Sequence, residues 1–303
     1  MKWTEQNYWI KKIIEFVKLV IQKINNGNLS LSSKAVVYYG LLSFFPLISL
    51  LGSVLPLFNI DRTLLTDQMA LLMPKQLNHF VEPIIVKLLT QKSGGLLSFG
   101  ILGTLWSSSG LVNILKYSIN EIYGLDNSSV YTKRSIVNYV ILRLASILTT
   151  ALFIVLVVAV MLILVIGQQF LDWVKPYFIL LPNILTELLR WRWPLAVLML
   201  LFMMILAYYF LPNSREKFRY LWSGSLFATF GFILLTLFFS LYVKYFGGRL
   251  NSYGTIGTFF ILIIWLNLVA YIFLIGAAIN AAMTQIKTGK IVQSSGLQRF
   301  QHK

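Results

Sequence analysis

The chain has no cysteine, only two histidines and very few charges. Without cysteine there can be no disulfide, thiolate metal site or thiol nucleophile. His79 and His302 alone leave little material for a histidine-based metal centre. Asp, Glu, Lys and Arg make up 12% of the 303 residues, against roughly 25% in soluble domains. Six apolar segments contain none of these four residue types: Ala35 to Phe58, Leu96 to Leu115, Leu144 to Ile166, Pro194 to Leu211, Leu221 to Val243 and Ile256 to Met283. Each is close to or above the ~20 residues that cross a bilayer as a helix. With 57% hydrophobic residues and a mean hydropathy of +0.75, the expected class is an all-α integral membrane protein built as a six-transmembrane-helix bundle. Proton-coupled pumps usually carry an intramembrane Asp, Glu or His, and these segments offer none. Sodium coupling through carbonyls and hydroxyls stays open. P-loop, H-E-x-x-H and G-x-S-x-G signatures are also missing. The outer acidic residues Asp61, Asp67, Glu82, Asp172 and Glu187 are scattered and read as solvated faces. No catalytic residue, metal or cofactor is expected.

What the chain does have is positive charge, a net +16. The Lys and Arg residues are unevenly placed. Counting the N-terminal segment, the second and fourth connections and the tail gives six, four, three and four. The first, third and fifth connections hold four, three and two. Acidic residues divide equally between the two sides. The positive-inside rule then places both termini in the cytoplasm. The basic balance is explained by topology and anionic headgroups, so membrane lipids are the expected partners and nucleic acid is not. No cleavable leader is evident before Ala35, and the first span is expected to act as its own insertion signal.

Outside the spans, two patterns stand out. In residues 1–34, Ile10, Ile13, Ile14, Val17, Val20, Ile21 and Ile24 recur at helical spacing, with Lys11, Glu15, Lys18 and Gln22 mainly opposite. This predicts a cytoplasmic amphipathic helix lying on the membrane interface. The alternative is a soluble helix packed on the loops. The first outer loop carries two short amphipathic pieces around Leu64–Leu72 and Leu77–Leu88, separated by Pro74. They predict short outer-face helices. Residues 35–283 form the six-span domain and residues 284–303 a basic tail.

Within the spans, the second is the most polar: "GTLWSSSGLVNILKYSINEIYG". Ser109, Asn113, Lys116 and Asn120 fall at i, i+4, i+7 and i+11, a narrow stripe of one helix face. Ser107 and Ser108 lie at similar depth to Ser109. Such a stripe lines a cytoplasm-open cavity or ties helices together by hydrogen bonds. In the first span, Pro46 removes a backbone donor and frees the carbonyl of Leu42, with Ser43 close by. Pro46 is therefore a candidate hinge or a plain kink. In the last span, Asn267 sits ~16 Å along the helix from Ile256, near the bilayer midplane. It is expected to face the bundle, at the depth of Ser107 to Ser109. Asn280 falls about 140° further round the helix, near the cytoplasmic edge, with a different task.

The phrases "AVVYYGLLSFFPLISLL", "LWSSSGLVNILKYSINEIYG", "YFLPN", "LWSGSLFATFGFILLTLFFSLYV" and "YGTIGTFFILIIWLNLVAYIFLIGAAINA" resemble the YihY/BrkB family of bacterial inner-membrane proteins. The resemblance runs from about Ser33 to Ala282. It implies a six-span bundle with cytoplasmic termini and a link to virulence, serum resistance and envelope lipid traffic. It brings no catalytic residues. The family's old label, ribonuclease BN, would require clustered His and Asp ligands, which this sequence does not provide. The family often has Gly-Ala-Glu where this chain reads Gly276, Ala277, Ala278, so a coupling role for that glutamate is not available here.

Together these features predict a protein that transports or flips a lipid or other anionic amphiphile. A polar groove would shelter the headgroup, and Lys116 and Arg143 would attract it at the inner mouth. The competing reading is a structural or assembly protein acting through partners; a nuclease ranks last.

Overall fold

A computed structural model describes residues 2–54, 96–125, 192–214, 216–251 and 254–293. Six helices occupy them: α1 (Lys2–Asn26), α2 (Leu29–Val54), α3 (Leu96–Tyr123), α4 (Arg192–Phe210), α5 (Phe218–Asn251) and α6 (Gly254–Thr288). No strand is found among the described residues, only an isolated antiparallel bridge between Ser214 and Gln293. Within the described residues, Phe218–Val243 of α5 and Phe259–Thr288 of α6 are long and apolar enough to cross a bilayer. The third apolar segment, the outer loop with its two short amphipathic pieces, and Arg143 lie outside the described residues.

Helix ends follow local chemistry. The break between α1 and α2 falls at Gly27 and Asn28, the latter left-handed with φ 42°. Ser32 Oγ donates to the Gly27 carbonyl at 2.9 Å, which fastens the first turn of α2 to the break. Gly124, with φ +71°, terminates α3. Its N–H donates to the Glu121 carbonyl and the Leu125 N–H to the Asn120 carbonyl, satisfying carbonyls that the helix end would otherwise strand. Pro46 does not end α2, which continues helical to Val54.

The helix α6 is the central element: it packs against α1, α2, α3 and, most extensively, α5. Small side chains explain how closely. Hydrocarbon tails are as apolar as leucine, so membrane helices associate through close backbone packing and interhelical hydrogen bonds rather than through a hydrophobic drive. Gly276, Ala277, Ala278, Ala281 and Ala282 lie buried along α6. A Cβ on Gly224 of α5 would collide with the Gly276 carbonyl oxygen, and one on Gly276 with the Tyr208 hydroxyl of α4. Three helices therefore meet at one point that admits no side chain. Two apolar clusters result. One joins Leu29, Ile119, Ile122, Tyr208, Leu221, Leu274, Ala277, Ala278 and Ala281. The other joins Phe239, Val243, Ile261, Leu262 and Trp265 of α5 and α6. The first cluster gathers the helix ends that the charge count assigns to the basic side.

Candidate functional site

At this basic end the structure assembles a buried polar knot that no single segment reveals. The turn between α4 and α5 contributes Asn213 and Glu216. The Asn213 N–H donates to Oδ1 of Asn120, at the end of α3, over 2.8 Å. Thr284 of α6 donates its hydroxyl to Oε2 of Glu216 over 2.8 Å. Lys23 of α1 donates to the Tyr123 carbonyl over 3.3 Å, placing a cation on the C-terminal end of α3, where it complements the helix dipole. Burial holds the Lys23 ammonium below the usual lysine range, an effect the nearby Glu216 carboxylate partly opposes. Tyr123 is buried and lies against the same carboxylate; burial first, and then that negative charge, push its phenol well above the ordinary tyrosine value. One carboxylate thus touches or faces residues of α1, α3 and α6. Asn280, fully buried, accepts the Gly224 N–H over 2.7 Å. Tyr208 donates to the Phe273 carbonyl over 2.7 Å and stacks on the Phe273 ring.

The second feature is a partly open cavity of about 220 Å³ lined by five helices: Val37 and Gly40 of α2, Leu111 and Leu115 of α3, Met204 of α4, Phe232 of α5, and Leu266 and Phe273 of α6 among others. Every described lining residue is apolar. Gly40 opens it further, since a Cβ there would meet nothing within 4 Å.

The polar residues singled out from sequence fall in several places. Ser109 and Asn120 are buried, while Asn113 and Lys116 are half-buried, and each makes a polar or electrostatic contact. At 3.6 residues per turn, this stripe lies about 150° round α3 from Leu111 and Leu115. The stripe and the cavity therefore occupy opposite sides of the same helix. Ser43 donates to the Tyr39 carbonyl of its own helix over 2.7 Å. The side chains of Pro46, Ser107 and Ser108 lie outside the described residues. Asn267 is half-buried. Its Oδ1 is buried and has no hydrogen-bond partner among the described residues.

Lys23, Tyr123, Glu216, Thr284 and the Asn280–Gly224 contact were not singled out from sequence. Glu216 had one available signal: it is the sole acidic residue of its connection. Asn280 also had one, as a lone amide inside a run of glycine and alanine. Nothing in the sequence pairs Lys23 with positions 123 and 216.

An all-helical chain with bilayer-length apolar helices, knotted by buried polar contacts at its basic end, defines a helical membrane protein. The comparisons narrow this class. The family model described as Virulence factor BrkB matches residues 20–299, and the chain belongs to that family. The ribonuclease-like protein YfkH of Bacillus subtilis is 30% identical over 258 residues, covering 84% of this chain and 90% of its own length. A UPF0761 membrane protein of Idiomarina loihiensis is 37% identical over 81 residues, 27% of this chain and 28% of its own. Another from Pseudoalteromonas translucida is 34% identical over 80 residues, 26% of this chain and 27% of its own. No solved structure matches the chain.

Proposed function

We propose that the chain is a six-span protein of the bacterial cytoplasmic membrane, with both termini inside, that moves or flips a lipid or other anionic amphiphile. On this reading residues 1–34 form an interfacial helix, residues 35–283 the spans and residues 284–303 a basic tail. The observation that carries the reading is the hydrocarbon-lined cavity among the helices, set on the side of the molecule that carries most of the positive charge. A membrane cavity with no polar lining suits an alkyl chain better than a hydrophilic solute. The interfacial helix is supported by α1, whose Ile10, Ile13, Ile14, Val17 and Ile21 are exposed while Val20 and Ile24 pack on the bundle. No enzymatic step, cofactor or nucleic acid belongs to this reading, and the ribonuclease-like name remains that of the Bacillus relative. The test is protein-dependent translocation of headgroup-labelled anionic lipids in reconstituted vesicles. Rates equal to those of empty vesicles across several anionic lipids would refute transport.

One observation favours the competing assembly reading. Ile119, Ile122, Tyr208, Leu221 and Leu274 have no solvent exposure at the basic end, so that end is closed by packed side chains. Under this reading the polar knot only ties helices together, and the vesicle assay gives the null result.

A further inference from the structure

The apolar cavity is not uniform along the bundle axis. Toward the basic end, the helix faces that line it turn polar within a single turn. On α2, Ser33 shares the face of Val36, Val37 and Gly40, one turn closer to the basic end. On α3, Ser118 shares the face of Leu111 and Leu115, again one turn further on. Ser118 has no solvent exposure, and its hydroxyl has no hydrogen-bond partner among the described residues. On α6, Tyr271 falls between the lining residues Ala270 and Ile272. Its hydroxyl lies close to the side chains of Ser30 and Ser33 and within electrostatic reach of Lys34, and Ser33 Oγ donates to the Ser30 carbonyl over 3.1 Å. Lys34 itself is exposed. A buried hydroxyl left without a partner is costly in a low-dielectric interior, and a lysine with a phenol hydroxyl in reach offers an anion charge-assisted hydrogen bonds.

We propose that the cavity is an acyl-chain site and that Lys34, with the hydroxyl of Tyr271, forms the rim that receives the phosphate of the same lipid. At about 220 Å³, the cavity is smaller than the ~300–1,000 Å³ of sites for whole drug-sized ligands. It admits part of one chain, and the remainder of that chain and the second chain stay in the bilayer. The lipid is an anionic glycerophospholipid of the basic-side leaflet, which the local charge attracts. The candidate headgroup contacts expected from sequence, Lys116 and Arg143, are not part of this rim: Lys116 lies on the far side of α3 and Arg143 lies outside the described residues. This deepens the amphiphile reading and rests on it, but binding rather than flipping tests it. Absence of flipping with intact binding would remove only transport, and flipping with no binding here would remove only this site.

The experiment is native mass spectrometry of the full chain, purified and exposed to phosphatidylglycerol or phosphatidylcholine of matched chains. The expected result is one phosphatidylglycerol retained per chain, at several-fold greater occupancy than phosphatidylcholine. Gly40→Leu fills the cavity and should lower retention of both lipids several-fold at unchanged thermal unfolding. Lys34→Gln should lower phosphatidylglycerol retention alone. A second measurement avoids any folding defect in the variants: phosphatidylglycerol with a diazirine in its acyl chain should label the wild type within residues 36–40, 111–115 and 266–273. Retention unaffected by Gly40→Leu, no preference between headgroups, or labelling confined to other segments would each overturn the proposal.

Discussion

Two asparagines on α6, Asn267 and Asn280, should respond in opposite ways to the same substitution. Asn280 has no solvent exposure, and its Oδ1 accepts the Gly224 N–H at 2.7 Å. It sits where α5 approaches so closely that a Cβ on Gly224 would lie 2.6 Å from the Asn280 side chain. Truncation to alanine removes an interhelical hydrogen bond, which is worth about 0.6 kcal/mol on average in membrane proteins and up to ~1.7. It also leaves a void on the order of 40 Å³, costing about 1 kcal/mol at ~24 cal/mol per Å³. Asn280 Nδ2 is buried without a partner among the described residues, and its removal offsets part of this loss, so Asn280→Ala should destabilise the protein by about 1–2 kcal/mol, and Asn280→Leu by more, because the pocket has no room for a branched side chain. For Asn267, Oδ1 is buried without a partner among the described residues. Replacing an unsatisfied polar group by an apolar one of similar shape is close to neutral or stabilising. Asn267→Leu should change stability by less than about 0.5 kcal/mol or raise it. Reversible unfolding in mixed micelles or bicelles, followed by circular dichroism, measures both. The reasoning fails if Asn280→Ala costs less than about 0.5 kcal/mol or if Asn267→Leu costs as much as Asn280→Ala.

Three further outcomes follow from the packing and the polar knot. Gly276→Ala places a Cβ against the Tyr208 hydroxyl and should cost about 1–3 kcal/mol through overpacking, measured in the same unfolding experiment. Lys23→Met deprives the buried Glu216 carboxylate of a facing cation and should cost about 1–3 kcal/mol, less than the ~3–5 of a fully buried pair because Lys23 keeps some water. Adding Glu216→Gln should recover part of that loss, and strict additivity in the double-mutant cycle would deny the coupling. The phenol of Tyr123 is raised in the folded state by burial and by Glu216. The folded protein therefore holds this proton at pH values where the unfolded chain loses it. Stability from this group is present below the ordinary tyrosine value of 10.0 and declines as pH rises above it, by up to ~1.4 kcal/mol per pH unit. Tyr123→Phe should flatten the alkaline limb of the stability profile, and an unchanged limb would show that this phenol does not contribute.

Much of the architecture is legible in the chain because a bilayer leaves few choices. A segment without charges must satisfy its backbone internally, so it becomes a helix; the charge-free runs within 192–210, 218–251 and 254–288 do so. The polar stripe of α3 is also legible, as spacing on a helix is fixed by 3.6 residues per turn. What that stripe faces is not, because periodicity orients residues relative to one another and not relative to neighbouring helices. The cavity accordingly lies on the other side of α3 from the residues that drew notice. Asn267 stands out as an amide in an apolar run, and among the described residues the α6 amide bonded to a second helix is Asn280. Its importance depends on a glycine 56 positions earlier.

The sequence by itself determined the solvent, the secondary structure of the apolar runs and the bias of positive charge, since each depends on local composition and on water or hydrocarbon as the surroundings. Only the tertiary structure decided that Lys23, Tyr123, Glu216 and Thr284 meet, that Gly224 and Gly276 touch, and that hydrocarbon side chains of five helices line one cavity. Those arrangements depend on which helix faces which, and that is set by close packing summed over many contacts far apart in the chain.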